Sequence, residues 1–187
     1  MSGTPCLEAA LFLAGSAVLV LISRRSLFHP RSHGFYRFLA WEVLLGLFVL
    51  NLRTWFSEPL AGHQLVSWVL LILSLFLVIG GVSQLREIGT QDADRNDPTL
   101  LGFEKTSRLV NRGLYRYIRH PLYSSLLCLG WGMFFKSPSW PEAGLALLCT
   151  GLLVATARSE ERENIRYFGE AYVEYMKHSR MFIPFIF

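Results

Sequence analysis

Residues 65–83 run for 19 positions without a single charged side chain. A helix that crosses the hydrocarbon core of a bilayer needs roughly 20 mostly apolar residues. Residues 9–23, 121–135 and 143–157 are each uncharged for 15 positions and reach that length by borrowing flanking residues. Residues 38–56 are apolar except for Glu42, Asn51 and Arg53. Five such segments within 187 residues leave too little polar surface to cover them all as buried helices of a soluble protein. The expected fold is all-α: a polytopic membrane bundle of about five transmembrane helices, ending in a cytoplasmic amphipathic helix. Only 17% of the residues are charged, against about 25% in soluble domains. An ordinary soluble enzyme, a disordered chain and a nucleic-acid-binding domain are excluded on these grounds.

The placement of charge sets the expected orientation. Of 18 Lys and Arg residues, 16 fall between spans one and two, between spans three and four, or after span five. Only Arg53 and Lys136 fall on the other side. Positive charge stays in the cytoplasm, so the N-terminus is expected outside and the C-terminus inside. The same bias explains a pI of about 9.1 without nucleic acid and favours contact with membrane lipids. Residues 1–8 lack Lys and Arg, and the basic pair Arg24–Arg25 follows the first apolar run. That order is the reverse of a cleaved signal peptide. Cys6, Cys128 and Cys149 show neither metal-ligand spacing nor a disulfide framework.

One membrane domain is expected over 1–187, with three N-terminal spans (1–83) and a catalytic region carrying spans four and five (84–187). Residues 91–98 read as a polar loop. Pro121 opens span four, because a proline in the first helical turn loses no backbone bond. The Ser124 and Ser125 hydroxyls are then expected at the cytoplasmic interface, beside Arg119 and His120. After span five, Glu161, Ile165, Phe168, Tyr172 and Tyr175 recur at steps of four and three, one face of a helix. An ionisable residue near membrane depth is a functional candidate with a partner. The short turn over 136–141 makes spans four and five antiparallel neighbours, so Arg119 and His120 are expected to meet Glu161. The tail from Arg180 is too short to span and is expected to fold back or dip into the interface. Glu42, near the cytoplasmic end of span two, is expected to snorkel or to face the site.

These residues resemble a known family. Leu109-Val110, Gly113, Tyr115, Arg119-His120-Pro121 and Tyr123, then Glu160-Glu161, Phe168-Gly169, Tyr172 and Tyr175, and finally Arg180-Met181-Phe182-Ile183-Pro184 are similar to the isoprenylcysteine carboxyl methyltransferase and phospholipid methyltransferase superfamily. The likeness covers 109–184; the first three spans carry no matching motif. It implies a membrane enzyme using S-adenosyl-L-methionine. By matching position, Leu109, Val110, Gly113, Tyr115, His120, Pro121, Tyr123, Glu160, Glu161 and Tyr172 would bind the cofactor. Arg119 and Glu161 would be catalytic, and no metal is implied. The acceptor would be a lipophilic small molecule or lipid-modified compound. Carboxyl O-methylation of the isoprenylcysteine type is the first expectation and phospholipid N-methylation the second. A non-catalytic scaffold, with Arg, His and Glu as interface anchors, is the third. Ser125 and Asn164 depart from the common pattern, outside its core motif.

Overall fold

The computed structural model describes residues 4–89 and 100–184. The loop expected over 91–98 and the last three residues lie outside the described residues. Within them the chain forms six α-helices and no strand. These are α1 (Thr4–Leu27), α2 (His33–Leu50), α3 (Gly62–Ile88), α4 (Pro121–Phe134), α5 (Trp140–Phe168) and α6 (Glu170–His178). Four of them, α1, α2, α3 and α5, are long and apolar enough to cross a membrane.

The segment expected as the fourth of five spans forms α4, which has only 14 residues. At 1.5 Å per residue that is about 21 Å, short of a hydrocarbon core about 30 Å thick. Local chemistry fixes both of its ends. Pro121 sets the first turn, and the Phe135 and Lys136 amides turn back to the Trp131 and Met133 carbonyls at 3.0 and 2.9 Å.

Other ends have equally local causes. The Ser32 hydroxyl accepts from the Phe35 amide at the start of α2, and Ser139 caps α5 by accepting from Glu142 N. The segment after span five, expected as an amphipathic helix continuing from that span or lying at the interface, is divided at Gly169. That residue has φ of 61°, a conformation open chiefly to glycine. Helix α5 ends at Phe168 and α6 begins at Glu170. Ile165 and Tyr172, expected on one helical face, differ: Ile165 is exposed and Tyr172 is buried.

The most extensive packing pairs α2 with α5 and α3 with α4. Helix α1 lies against α2, and α4 touches α5 across the short turn. Ala40, Leu44, Leu47, Met133, Cys149, Leu153 and Ala157 form the core, with Tyr123 and Phe182 joining it. Helix α3 approaches α4 closely enough for the Ser67 hydroxyl to donate to the Gly132 carbonyl at 2.7 Å. Small residues permit such approaches between membrane helices. Leu13, Leu21, Val69 and Ile72 point outward, as a lipid-facing surface requires. Glu42 accepts from Ser16 of α1 at 2.5 Å and takes no part in the site. Lys136 is 1% exposed. Its Nζ lies 3.3 Å from the Trp68 ring centroid and donates to Gln64 Oε1 at 3.0 Å. Trp68 and Gln64 thereby compensate a charge on the sparsely basic side.

Candidate active site

The site is built where the segment before α4, the end of α5, helix α6 and the C-terminal tail converge. A short 3-10 turn (Gly113–Arg116) presents Tyr115. It is held on α3 by Gln84 Oε1, which accepts from Leu114 N at 2.9 Å. Gly113 has φ of 58°, and a Cβ there would meet Gln84 Oε1 at 2.4 Å. Its glycine is demanded by the turn.

The tail folds back, as one of the sequence expectations had it. The Arg119 amide donates to the Arg180 carbonyl at 2.7 Å, the His120 amide to Met181 O at 3.2 Å, and the Arg180 amide to Tyr117 O at 2.9 Å. The Ser124 hydroxyl donates to Phe182 O at 2.9 Å, and Ser125 donates to Leu122 O at 2.6 Å. Both serines are buried. The expectation that these hydroxyls face the cytoplasmic interface is therefore corrected: the returning tail covers one and the first turn of α4 uses the other.

Arg119 Nε donates to Glu161 Oε1 at 2.7 Å. Its Nη1 donates to the Ser179 carbonyl at 2.5 Å and to Met176 O at 3.3 Å. One guanidinium thus ties α5 to the end of α6. The His120 ring sits between two carboxylates, with Nε2 3.4 Å from Glu161 Oε1 and Nδ1 3.7 Å from Glu160 Oε2. It stacks on Tyr123 at 5.4 Å and 19°.

A cleft opens beside this cluster. Leu109, Val110, Tyr115, Arg119, His120, Pro121, Tyr123, Glu160 and Tyr172 line it. Two sequence candidates do not. Gly113 serves its turn, and Glu161 stands behind the wall, 7% exposed, supporting Arg119 and His120. Glu104 and Thr106, which the sequence reading did not single out, also line the cleft, as do Asn164, read as a departure from the family pattern, and Tyr175, a motif residue given no cofactor role. Phe168, on the helical face given by its spacing, is there too. It stacks on Tyr172 at 6.4 Å and 16°. The Tyr175 hydroxyl donates to Tyr115 O at 2.5 Å. Burial pushes the phenols of Tyr115, Tyr172 and Tyr175 above their ordinary range, so they stay neutral donors.

Helix α2 supplies support that no motif announced. Arg37 Nη1 donates to both oxygens of Glu104, at 2.8 and 2.7 Å. His33 Nδ1 pairs with Glu163 Oε2 on α5. Three glutamates at the end of α5 therefore have separate tasks: Glu163 reaches α2, Glu161 holds Arg119, and Glu160 faces the cleft. Among the described residues no cluster suits a metal ion.

The family model described as phospholipid methyltransferase matches residues 63–171. A methanethiol S-methyltransferase of Pseudomonas deceptionensis is 26% identical, over 96% of this chain and 60% of its own length. Another, of Crocosphaera subtropica, is 29% identical over 73% of this chain and 53% of its own length. A protein-S-isoprenylcysteine O-methyltransferase of Xenopus laevis is 30% identical over 65% and 42%. The chain thus spans about half the length of the curated relatives it matches. No solved structure matches.

Proposed function

The chain belongs to the phospholipid methyltransferase family, and from that premise we propose that it transfers a methyl group from S-adenosyl-L-methionine to a lipophilic acceptor at the membrane. The observation that carries this reading is the donor set of the cleft. A carboxylate, Glu160, lies among tyrosine faces and the apolar Leu109 and Val110. The buried Tyr123 hydroxyl lies beside Glu160 without a hydrogen bond of regular geometry, a polar group that a ligand could satisfy.

These groups fit the cofactor. Glu160 suits its ammonium, the ring faces of Tyr115, Tyr172 and Phe168 suit adenine or a sulfonium, and His120 suits a carboxylate. Held by these residues, the cofactor would supply an electrophilic methyl for an acceptor lone pair, its sulfur leaving with the electron pair of the S–CH3 bond. The protein's task is then alignment and exclusion of water. Arg119 is committed to Glu161 and two carbonyls, so it positions the wall of the cleft. His120, with its ring nitrogens turned to Glu160 and Glu161, belongs to the wall that takes the cofactor's carboxylate. We order the acceptors a thiol first, an amine next and a carboxylate of the isoprenylcysteine type last. Two relatives carry the name of thiol methyltransferases, which supports the same order. The positive-inside rule supports a cytoplasmic cleft, beside most of the basic residues.

Saturable binding of S-adenosylhomocysteine to the purified protein in detergent is expected by calorimetry; its absence sinks the reading. Labelled methyl supplied with short thiols, prenylcysteines and lipid extract in parallel identifies the acceptor. A volatile thioether marks sulfur, a base-labile product marks an ester, and a base-stable lipid marks nitrogen. A scaffold instead tolerates loss of His120 and Glu160 and labels nothing.

A further inference from the structure

One wall of the cleft is a single face of α5. Glu160, Asn164 and Phe168 lie at steps of four along that helix, and all three line the cleft. They continue a face whose earlier members, Leu153 and Ala157, are fully buried in the core. A helix rises 1.5 Å per residue, so successive members stand about 6 Å apart along its axis. Outward from the core, the wall is a carboxylate, then a carboxamide, then an aromatic ring. Tyr172 of α6 doubles the ring, its plane 16° from that of Phe168. A hydrogen bond links the Asn164 side chain to the Tyr172 phenol. A carboxamide carries two N–H donors and a carbonyl with two lone pairs, more than one phenol uses. Leu85, Leu100, Leu109 and Val110 make much of the remaining lining apolar. A polar group among apolar ones costs stability unless partners satisfy it.

S-adenosyl-L-methionine has a fixed covalent order: the amino-acid ammonium and carboxylate, the sulfonium, a ribose with two neighbouring hydroxyls, then adenine. With the ammonium on Glu160 and the base against the Phe168 and Tyr172 rings, the middle of the wall falls to the ribose. We propose that Asn164 hydrogen-bonds the ribose hydroxyls of the methyl donor and so selects ribose over deoxyribose. The inference rests on the cleft being the site of that donor. It assigns a specificity residue at a position where this chain departs from the family's common pattern. A neutral amide discriminates by hydrogen bonding alone, and a diol can both donate to its carbonyl and accept from its N–H groups.

The test is calorimetry on the full chain in detergent, wild type and N164L, with a melting curve for each. The probes are S-adenosylhomocysteine, its 2′-deoxy and 3′-deoxy analogues, and S-inosylhomocysteine. Leucine keeps the branched outline of asparagine and removes its polar atoms. Wild type is expected to bind at least one deoxy analogue about 5- to 150-fold more weakly than S-adenosylhomocysteine, the cost of leaving a polar group without its partner. N164L is expected to bind S-adenosylhomocysteine more weakly by a similar factor and to lose nothing further with the deoxy analogues. Residue and hydroxyl then close a double-mutant cycle with a coupling between them. The preference for the adenosyl over the inosyl compound is expected to be the same in both proteins. If N164L does not fold, N164A takes its place in the cycle. An undiminished deoxy penalty in the variant overturns the proposal and leaves the cofactor reading standing, and so does a wild type indifferent to both hydroxyls. Loss of the adenosyl preference in place of the deoxy penalty assigns Asn164 to the edge of the base and equally overturns the proposal. No binding of S-adenosylhomocysteine by wild type ends both.

Discussion

Arg119 on the segment before α4 and Glu161 on α5 meet at 2.7 Å, and the same guanidinium holds the last carbonyls of α6. Three parts of the chain are fastened by one side chain. Both partners are at most 10% exposed. Breaking a buried pair by removing one partner costs about 3–5 kcal/mol, because the other charge is left uncompensated. Arg119→Ala and Glu161→Ala are each expected to lower the thermal midpoint in detergent and to abolish S-adenosylhomocysteine binding. Arg119→Met with Glu161→Met is expected to regain part of the stability without the binding. A stable, fully binding single variant contradicts the fastening role.

Glu160 is one turn-position away and has a different task. It faces the cleft, where a charge-assisted hydrogen bond contributes about 1.5–3 kcal/mol. Glu160→Gln is expected to keep the fold while weakening cofactor binding by roughly 10- to 150-fold, on the same range. Calorimetry beside a melting curve separates it from Glu161→Ala. An unchanged affinity removes Glu160 from the cofactor's partners.

Gly113 tests whether a motif residue acts through the ligand or through the backbone. Its positive φ costs another residue about 1–2 kcal/mol, and the new Cβ presses on Gln84. Gly113→Ala is expected to reduce stability by about that amount while leaving the affinity of the folded fraction intact. Adding Gln84→Ala relieves the contact but not the φ penalty. A loss of affinity without a loss of stability places Gly113 at the ligand instead.

Arg37 anchors Glu104, and through it one wall of the cleft. Arg37→Met is expected to speed hydrogen exchange over residues 100–106 and to raise KM for the methyl donor more than it lowers kcat. Unaltered exchange there shows the pair to be dispensable.

Burial raises the phenols of Tyr115, Tyr172 and Tyr175 in the folded chain, whereas an unfolded tyrosine titrates near 10. The neutral form is favoured by folding, so this contribution is fully present below about pH 10. It is lost as pH rises through the raised values, where the unfolded chain releases protons first. Absorbance titration is expected to show these tyrosines ionising only together with unfolding. Smooth titration of all seven tyrosines near 10 before unfolding speaks against their burial.

The sequence by itself determined the elements whose causes are local. Hydrophobic runs located four helices long enough to span, because burial in lipid needs only length and the absence of charge; the fifth run forms the shorter α4. Pro121 marked the start of α4, because its ring and missing N–H act within one turn. The motif from Leu109 to Tyr175 gathered most of the cleft lining, since residues before α4 and after a short helical hairpin must return to the same end. Tertiary structure alone decided the rest. Residues 67 positions apart join in Arg37–Glu104, and 130 positions separate His33 from Glu163; no periodicity encodes such partners. Ile165 is exposed although it shares α5 with buried Glu161, and the φ of Gly169 ends that helix within a spacing that reads as one continuous face. Which of two adjacent glutamates faces the cleft and which stands behind it was likewise decided in three dimensions, because neighbours on a helix point about 100° apart and only the packing of α5 against Arg119 sets which direction is inward.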